Sequence, residues 1–361
     1  MTKQYTALID VDTLIVHAGI AGQETYVTVT HNTTGWTKEF KNQTEFFGDH
    51  HKKAGGWLAE INKSKEEKGL PIVSPDAFTI EAGVRLIEDV VHENGTAITP
   101  EQIVKGRFKS KIEAIVNQPW CKDFKICYGT GTNFRYDIAE TVPYKNERPS
   151  KPLLFDVVRD YMLWKYKDHM ITVDNVESDD ILTAELHSAW IRAKRKHENL
   201  DVVSCHIDKD INQFPCLHFN FDKPELGLVK ITPLEAAKNL ASQMLQGDTV
   251  DSIPGLPKLP DEMHKKYSIR RSGKGLGEKT ARALIEPCQD TKEVFERVVE
   301  AYRGFYGEDK QPFTSWYGDE TGRNWLDHLN EQYRLLKMRS VVDADVGHVK
   351  DFLTKLEVSY E

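Results

Sequence analysis

Cysteine is scarce in this 361-residue chain: Cys121, Cys127, Cys205, Cys216 and Cys288 form no CxxC pair and are odd in number. That spacing argues against a disulfide framework or a cysteine zinc site and leaves free, mostly buried thiols. The run DHH at 49–51 has two adjacent histidines but no second pair at ligand spacing, so no zinc is expected there. No apolar run approaches the roughly 18 residues of a membrane span. The opening MTKQYTALIDV enters a strand-like run almost at once and lacks the layout of a secretory leader, so a cytoplasmic chain with no membrane partner is expected. Positive charge is also short: 48 Lys and Arg against 56 Asp and Glu give −8. This argues against coating nucleic acid by bulk charge, while leaving room for a local basic track. No compositional sign of disorder is present.

What is there is an alternation of short apolar runs and helix-periodic segments. Strand-like runs fall at 5–10, 124–128, 169–173 and 201–207, and helical patterns at about 76–92, 101–117, 152–167 and 178–197. The pattern predicts an α/β fold with a parallel sheet flanked by helices. Residues 22–75 read as an insertion: TYVTVTHNTTGWTKEF alternates around a turn and predicts a β-hairpin, and INKSKEEKGLPIVSP reads as a solvated loop. From about 233 the chain turns helical. It opens on Thr232 as N-cap, Pro233 at the first helical position and Glu235 as box partner, and further helices fit 291–303, 323–337 and 346–356. The expected division is 1–232 and 233–361.

The chemistry lies in the carboxylates. VESDD at 176–180 crowds Glu177, Asp179 and Asp180 at a helix start, where acidic residues are favoured by the macrodipole alone. Asp10 and Asp12 stand where the first strand ends, and Asp208 and Asp210 where the fourth ends. Sites in parallel sheets form beyond the carboxyl ends of strands, so these acids are expected on one rim. Asp248 and Asp251 follow the Pro233 helix, on one face if that helix continues. Two like charges about 4 Å apart cost on the order of 4 kcal/mol at an effective dielectric near 20. Convergence of Asp10, Glu177, Asp179, Asp180, Asp208, Asp210, Asp248 and Asp251, with Asp12 in reserve, therefore calls for protons or cations. Oxygen donors of this kind select Mg²⁺ or Mn²⁺, and two ions roughly 4 Å apart would clamp a phosphodiester.

Two basic elements suit such a substrate. PYKNERPSKP at 143–152 supplies Lys145, Arg148 and Lys151, with Tyr144 available to stack on a base or sugar, although the same run also reads as a solvated loop. GLGEKTARAL at 275–284 offers Gly275 and Gly277 for close backbone approach, Lys279 for charge, and a helix N-terminus for a phosphate.

In this order, LIDVDTL, TNFRYDIAETVPYKNERPSKP, VESDDILTAE, SCHIDKDINQFP and LQGDTVDSIPG…GLGEKTA resemble the flap-endonuclease superfamily of 5′ nucleases, and among them the 5′→3′ exonucleases of short-tailed bacteriophages. The resemblance implies a PIN-like nuclease domain with an arch at about 143–165 and a helix–hairpin–helix DNA-binding element in the helical region. It implies metal-dependent hydrolysis, with two Mg²⁺ or Mn²⁺ ions, of duplex DNA from 5′ ends or flaps, and of RNA in RNA–DNA hybrids as an extension, in phage replication or recombination in the host cytoplasm. By the same resemblance the eight acids above are metal ligands and Lys145 and Arg148 contact the scissile phosphate. Tyr144, Lys151, Gly275, Gly277, Lys279 and Arg282 would then touch DNA, and the hairpin would hold K⁺ through backbone carbonyls.

Two departures stand out. Fifteen positions before Lys145, where the family places another Asp, this chain has Thr130. The segment KLPDEMHKKYSIRRSGK at 258–274 is inserted ahead of the glycine hairpin; it extends the DNA track with Lys265, Lys266, Arg270, Arg271 and Lys274, distorts the hairpin, or is a disordered loop. Two other classes compete. IDVDTLIV also fits the opening of a haloacid-dehalogenase-like phosphatase, with Asp10 as nucleophile and Asp12 as acid/base, a reading that has no use for YKNER or the glycine hairpin. A non-enzymatic DNA-binding protein on a degenerate nuclease fold rests on Thr130.

Overall fold

A computed structural model describes residues 5–49, 54–91, 95–271 and 275–360. His50, His51 and Lys274 lie outside the described residues. The architecture is α/β, with mixed sheets, flanking helices and a helical C-terminal region. The chain divides into two compact units: residues 1–14, 111–150 and 165–361 form one, and residues 15–110 and 151–164 the other. No described helix is long and apolar enough to cross a membrane.

The larger unit is built on a six-stranded sheet in the order Met170–Asp174, Cys121–Thr130, Tyr5–Asp10, Val202–Cys205, Cys216–Phe219, Leu228–Ile231. The first five run parallel and Leu228–Ile231 closes the edge antiparallel. All four expected strands are present. Leu8, Cys127 and Val202 of the sheet are buried with Ile181, Leu182 and Leu186 of the helix Ser178–Lys196. A helix carrying an apolar face onto a parallel sheet is what the alternating pattern demanded. Register then fixes the rim. Asp10 pairs with Cys127, Ile9 with Cys205, and Asp174 with Thr130, so the carboxyl ends of neighbouring strands lie side by side.

Behind the sheet in sequence comes the helix Pro233–Gln246, opened by a full capping box: Thr232 Oγ1 accepts from Glu235 N at 3.2 Å, and Thr232 N donates to Glu235 Oε2 at 2.7 Å. With Glu278–Ile285, Thr291–Tyr306, Trp325–Leu336 and Val349–Lys355 it packs a core that includes Leu240, Met244, Leu284, Val298, Tyr302, Trp325 and Leu353. A short hairpin, Gln311–Thr314 with Glu320–Arg323, interrupts this helical run.

The smaller unit holds the first part of the helix Pro100–Val116, close to expectation, and all but the last residue of a helix Phe155–Lys165 that starts only after Pro152. It also holds an antiparallel sheet of Thr37–Phe40, Gln23–His31 and Phe78–Leu86. The hairpin at 23–40 is as expected. Two expectations fail here. Residues 78–86, read as helical, form a strand: Phe78, Ile80, Ala82, Val84 and Leu86 alternate with polar or small residues, and that period of two wins once Gln23–His31 supplies a partner. INKSKEE, read as loop, is the second half of the helix Trp57–Glu67, whose Leu58 is buried with Val27, Val29, Phe40 and Phe46. Its charged residues are the solvent face of an amphipathic helix.

Candidate metal centre

The rim is assembled from five turns of chain, each with a local reason for its shape. Strand Cys121–Thr130 reaches the acidic helix start through Gly129, whose N–H donates to Ser178 Oγ at 3.0 Å. A Cβ on Gly129 would lie 1.8 Å from the Val176 carbonyl oxygen, so only glycine permits the approach. Asp179 Oδ1 accepts from Asp180 N at 2.7 Å. Asp208 caps the short helix Lys209–Gln213 by accepting from Asp210 N at 2.9 Å.

Asp248 and Asp251 do not continue a helix as expected. Gly247, at φ 73°, ends it, and a tight loop closes through paired Asp248 and Ile253 backbones (2.8 and 2.7 Å). Gly247 and Gly255 (φ 64°) meet face to face: a Cβ on Gly247 would be 2.2 Å from Ile253 O. The loop instead folds back so that Asp248 Oδ1 accepts from Val250 N at 2.8 Å.

These turns bring the acids into mutual electrostatic contact. Glu177, Asp179 and Asp180 each offer an oxygen within 4.8 Å of the others, a group that could hold a divalent ion. Burial, then Glu177 and Asp180, push Asp179 well above the usual carboxylate range. Burial, then Asp12 and Asp208, do the same to Asp10. Asp210 is pushed up to about 8 by burial and by Asp208 and Asp248. Asp251 is raised by burial and by Glu177, against Lys145. Asp12 reaches the surface, yet the dense packing around it and Glu177 raise it, against the Ser178 hydroxyl and Lys145. Asp208 therefore couples to Asp10 and to Asp210, Asp210 in turn to Asp248, and Glu177 to Asp12, Asp179 and Asp251.

Cations enter the set unevenly. Lys145 Nζ is bonded to Glu177 and lies 3.7 Å from Asp251. Burial opposes its charge, but Glu177 and Asp251 hold its pKa above the ordinary lysine value. Lys209 Nζ is 3.2 Å from Asp248. Among the described residues, no side-chain cation pairs with Asp10, Asp179, Asp208 or Asp210. An all-oxygen set left short of positive charge fits a hard divalent ion.

Asp180 differs. Both of its oxygens are acceptors for Arg135, at 2.7 and 3.0 Å, and Oδ1 also accepts from Arg339 N at 2.8 Å. Any direct bond from Asp180 to an ion would use an oxygen that Arg135 already holds.

Several residues sit otherwise than the sequence led one to expect. Tyr144, assigned to base stacking, is buried, and its hydroxyl donates to Asp251 Oδ2 at 3.0 Å and lies 3.1 Å from Glu177 Oε2. Its ring supports the acids and is not open to a base. Lys145, implied to lie on a helical arch, stands in a turn over 144–147 at φ 56°, a conformation outside any right-handed helix. Arg148 is exposed, and its charge reaches Asp12 and Asp251. Lys151 belongs to the smaller unit, with Nζ 4.3 Å from the Phe155 ring centre. Thr130 donates from Oγ1 to Asp174, its register partner on the neighbouring strand, so a carboxylate stands one strand away from the position where the resemblance calls for one.

The glycine hairpin is a separate feature of the same unit. Gly275 adopts φ 84°, and Leu276 N donates to Pro257 O at 3.3 Å. Gly277 and Lys279 are exposed at the start of the helix Glu278–Ile285, while Arg282 donates to Asn239 Oδ1. A cavity of about 370 Å³ lies beside it, lined by Lys258, His264, Gly275 and Thr280 among others. The inserted 258–271 is partly ordered as the helix Asp261–Lys266. Lys266 is paired to Glu300 at 2.8 Å and Arg271 to Asp261 at 3.0 Å, leaving Lys265 and Arg270 exposed.

Sequence reasoning missed Arg135, Ser178 and Lys209. Lys209 lies inside the quoted IDKD, where a lone basic residue among acids was the available signal; Arg135, inside TNFR, stands beside none of the acids it binds.

One consequence is testable in the protein without substrate. A carboxylate whose folded pKa is raised binds more protons folded than unfolded, so stability falls as pH rises from the ordinary carboxylate range through the raised values, here up to about 8 for Asp210. The chelator-treated protein is expected to melt lower at pH 8 than at pH 5. Saturating Mg²⁺ or Mn²⁺ restores the loss at pH 8, by about 2.7 kcal/mol at a hundredfold excess over Kd. Thermal melts with and without chelator check this; a metal-independent melt at pH 8 would disconnect the acids from any ion.

No family model and no curated protein matches the chain. Among solved structures, the crystal structure of the T5 D15 protein co-crystallized with metal ions is similar over 55% of this chain and 82% of that one, at 14% identity and a TM-score of 0.33.

Proposed function

We propose that the chain is a divalent-metal-dependent phosphodiesterase that degrades duplex DNA from 5′ ends or flaps, in keeping with the motifs it shares with 5′ nucleases. The observation that carries this reading is the convergence on one sheet rim of acids of which Asp10, Asp179, Asp208 and Asp210 have, among the described residues, no paired side-chain cation, next to the half-buried Lys145 and the exposed Arg148. In this reading Asp10, Asp179, Asp208 and Asp210 hold the ions, with Glu177, Asp248 and Asp251 ordering their surroundings. Bound Mg²⁺ or Mn²⁺ would supply Lewis acidity and an activated water for in-line attack on phosphorus. Lys145, held between Glu177 and Asp251, is placed to give positive charge to a phosphate arriving at the rim. Arg148, exposed beside it, draws the strand in. Gly275, Gly277 and Lys279 hold duplex phosphates sequence-independently, with K⁺ at the hairpin and RNA–DNA hybrids as a second substrate. A nuclease part up to about 232 and a DNA-holding part beyond it complete the proposal.

The test uses blunt, recessed and flapped duplexes labelled at either end, incubated in Mg²⁺ or Mn²⁺ with and without chelator. The expected result is chelator-sensitive release from 5′ ends. Duplex binding without cleavage in either metal, or turnover of p-nitrophenyl phosphate alone, would overturn it in favour of a DNA-binding protein or a phosphatase. In the same assay Lys279→Ala is expected to weaken binding equally for all sequences and to lower the slope of log K against log salt by about 1. An unchanged slope would remove Lys279 from the phosphate contacts.

A further inference from the structure

We propose that two copies of this chain associate through the strand Phe78–Leu86, pairing edge to edge to join their small sheets into one of six strands. This strand is the outer member of its sheet. On its inner side it is hydrogen-bonded to Gln23–His31 over its whole length, and among the described residues its outer edge pairs with no strand. Exposed edges are normally blunted by proline, lysine, bulges or shortness. Here the strand runs nine residues with an unbroken register and contains neither proline nor lysine.

Side-chain placement favours a second copy as the occupant. One face of the strand is apolar throughout: Phe78 and Ile80 pack on the Val27, Val29 and Phe46 core, and the row continues into Ala82, Val84 and Leu86, which are left open, Val84 at 43% and Leu86 at 41% exposure. The other face carries Glu81 and Arg85 on either side of Gly83. A two-fold axis through Gly83 sets Glu81 of each copy opposite Arg85 of the other. It sets Ala82 opposite Val84 and Ile80 opposite Leu86. Charge thus meets opposite charge and apolar meets apolar, each twice, as a self-complementary two-fold interface requires. Arg85 is already turned toward its own sheet by ion pairs to Glu24 and Glu39 at 2.7 Å, yet stays about half exposed, open to the second Glu81. Gly83 itself is fixed by the Tyr26 ring, which a Cβ there would strike at 2.4 Å, so the axis position stays free of a side chain.

Sedimentation or light scattering of the full chain is expected to give twice 41.3 kDa at micromolar concentration. Glu81→Lys alone and Arg85→Glu alone each set like charges opposite and are expected to weaken the dimer about tenfold or more, while mixing the two variants restores it by setting opposite charges in both places. A register test needs no charge change. A mixture of Ala82→Cys and Val84→Cys chains should form intermolecular disulfides faster than either chain alone, against the wild-type baseline of its own cysteines. A monomer at all concentrations, a dimer indifferent to Glu81→Lys, or failure of both the charge mixture and the cysteine mixture would overturn the proposal.

Discussion

Arg135→Ala is expected to cost roughly 3–5 kcal/mol of folding free energy, because it leaves a buried carboxylate without its counter-charge. Arg135 and Asp180 are both fully buried, and Arg135 Nη1 lies 2.7 Å from Asp180 Oδ2 and from Glu177 Oε2. The guanidinium does more than pair. Its Nε donates to the Leu335 carbonyl at 2.8 Å and Nη2 to the Lys337 carbonyl at 3.3 Å, tying the acidic helix start to the chain that leaves the helix Trp325–Leu336. Removing it strands Asp180 and two carbonyls at once. Glu177 suffers less, since Lys145 and Tyr144 remain on it.

Denaturant unfolding of the metal-free protein measures the cost. Arg135→Met with Asp180→Leu should recover much of it, because a buried ion pair replaced as a unit by apolar side chains is often tolerated where a half-pair is not. A cost below about 1 kcal/mol for Arg135→Ala would mean that water replaces the guanidinium, and the clamp would have no structural weight.

The contrast between Arg135 and the rim acids shows how far the sequence could be read. Strand ends and a strand-order rule were enough to place Asp10, Glu177, Asp179 and Asp208 on one rim, because parallel register converts chain position into spatial position. The Thr232 capping box was legible for a similar reason: its partners are three residues apart. Arg135 was not legible as a clamp, since its partners are Asp180 and the backbone near 335–339, brought together only by tertiary packing. Tyr144 misled for the opposite reason. An aromatic beside lysines reads as a stacking platform until burial turns its hydroxyl inward to Glu177 and Asp251. The strand Phe78–Leu86 shows the limit of periodicity, because FTIEAGVRLIEDVV carries apolar residues compatible with either period and only the partner strand decides. The loop 247–255 required knowing that two glycines touch, which a helical extension of Pro233–Gln246 would forbid.

Asp179→Asn is expected to lower divalent-dependent cleavage by about 10³-fold or more, several kcal/mol of barrier, while leaving the fold intact. The substitution is nearly isosteric and keeps the Oδ1 acceptor that takes the Asp180 N–H at 2.7 Å, so the helix start at Ser178 is preserved. What it removes is a negative charge that burial, Glu177 and Asp180 already strain against. The signs of the two effects are therefore opposite. Without metal, the variant should be as stable as the parent or more so at pH 8, since a repulsive charge is gone. With metal, its gain in melting temperature should shrink, since a ligand is gone. Duplex affinity measured in chelator should stay within about twofold, because none of the proposed phosphate contacts, Lys279 among them, involves Asp179. Full cleavage activity in the variant would take Asp179 out of the centre. Lost activity accompanied by lower metal-free stability would show only that the helix start had come apart, and Asp179 would then be a folding residue.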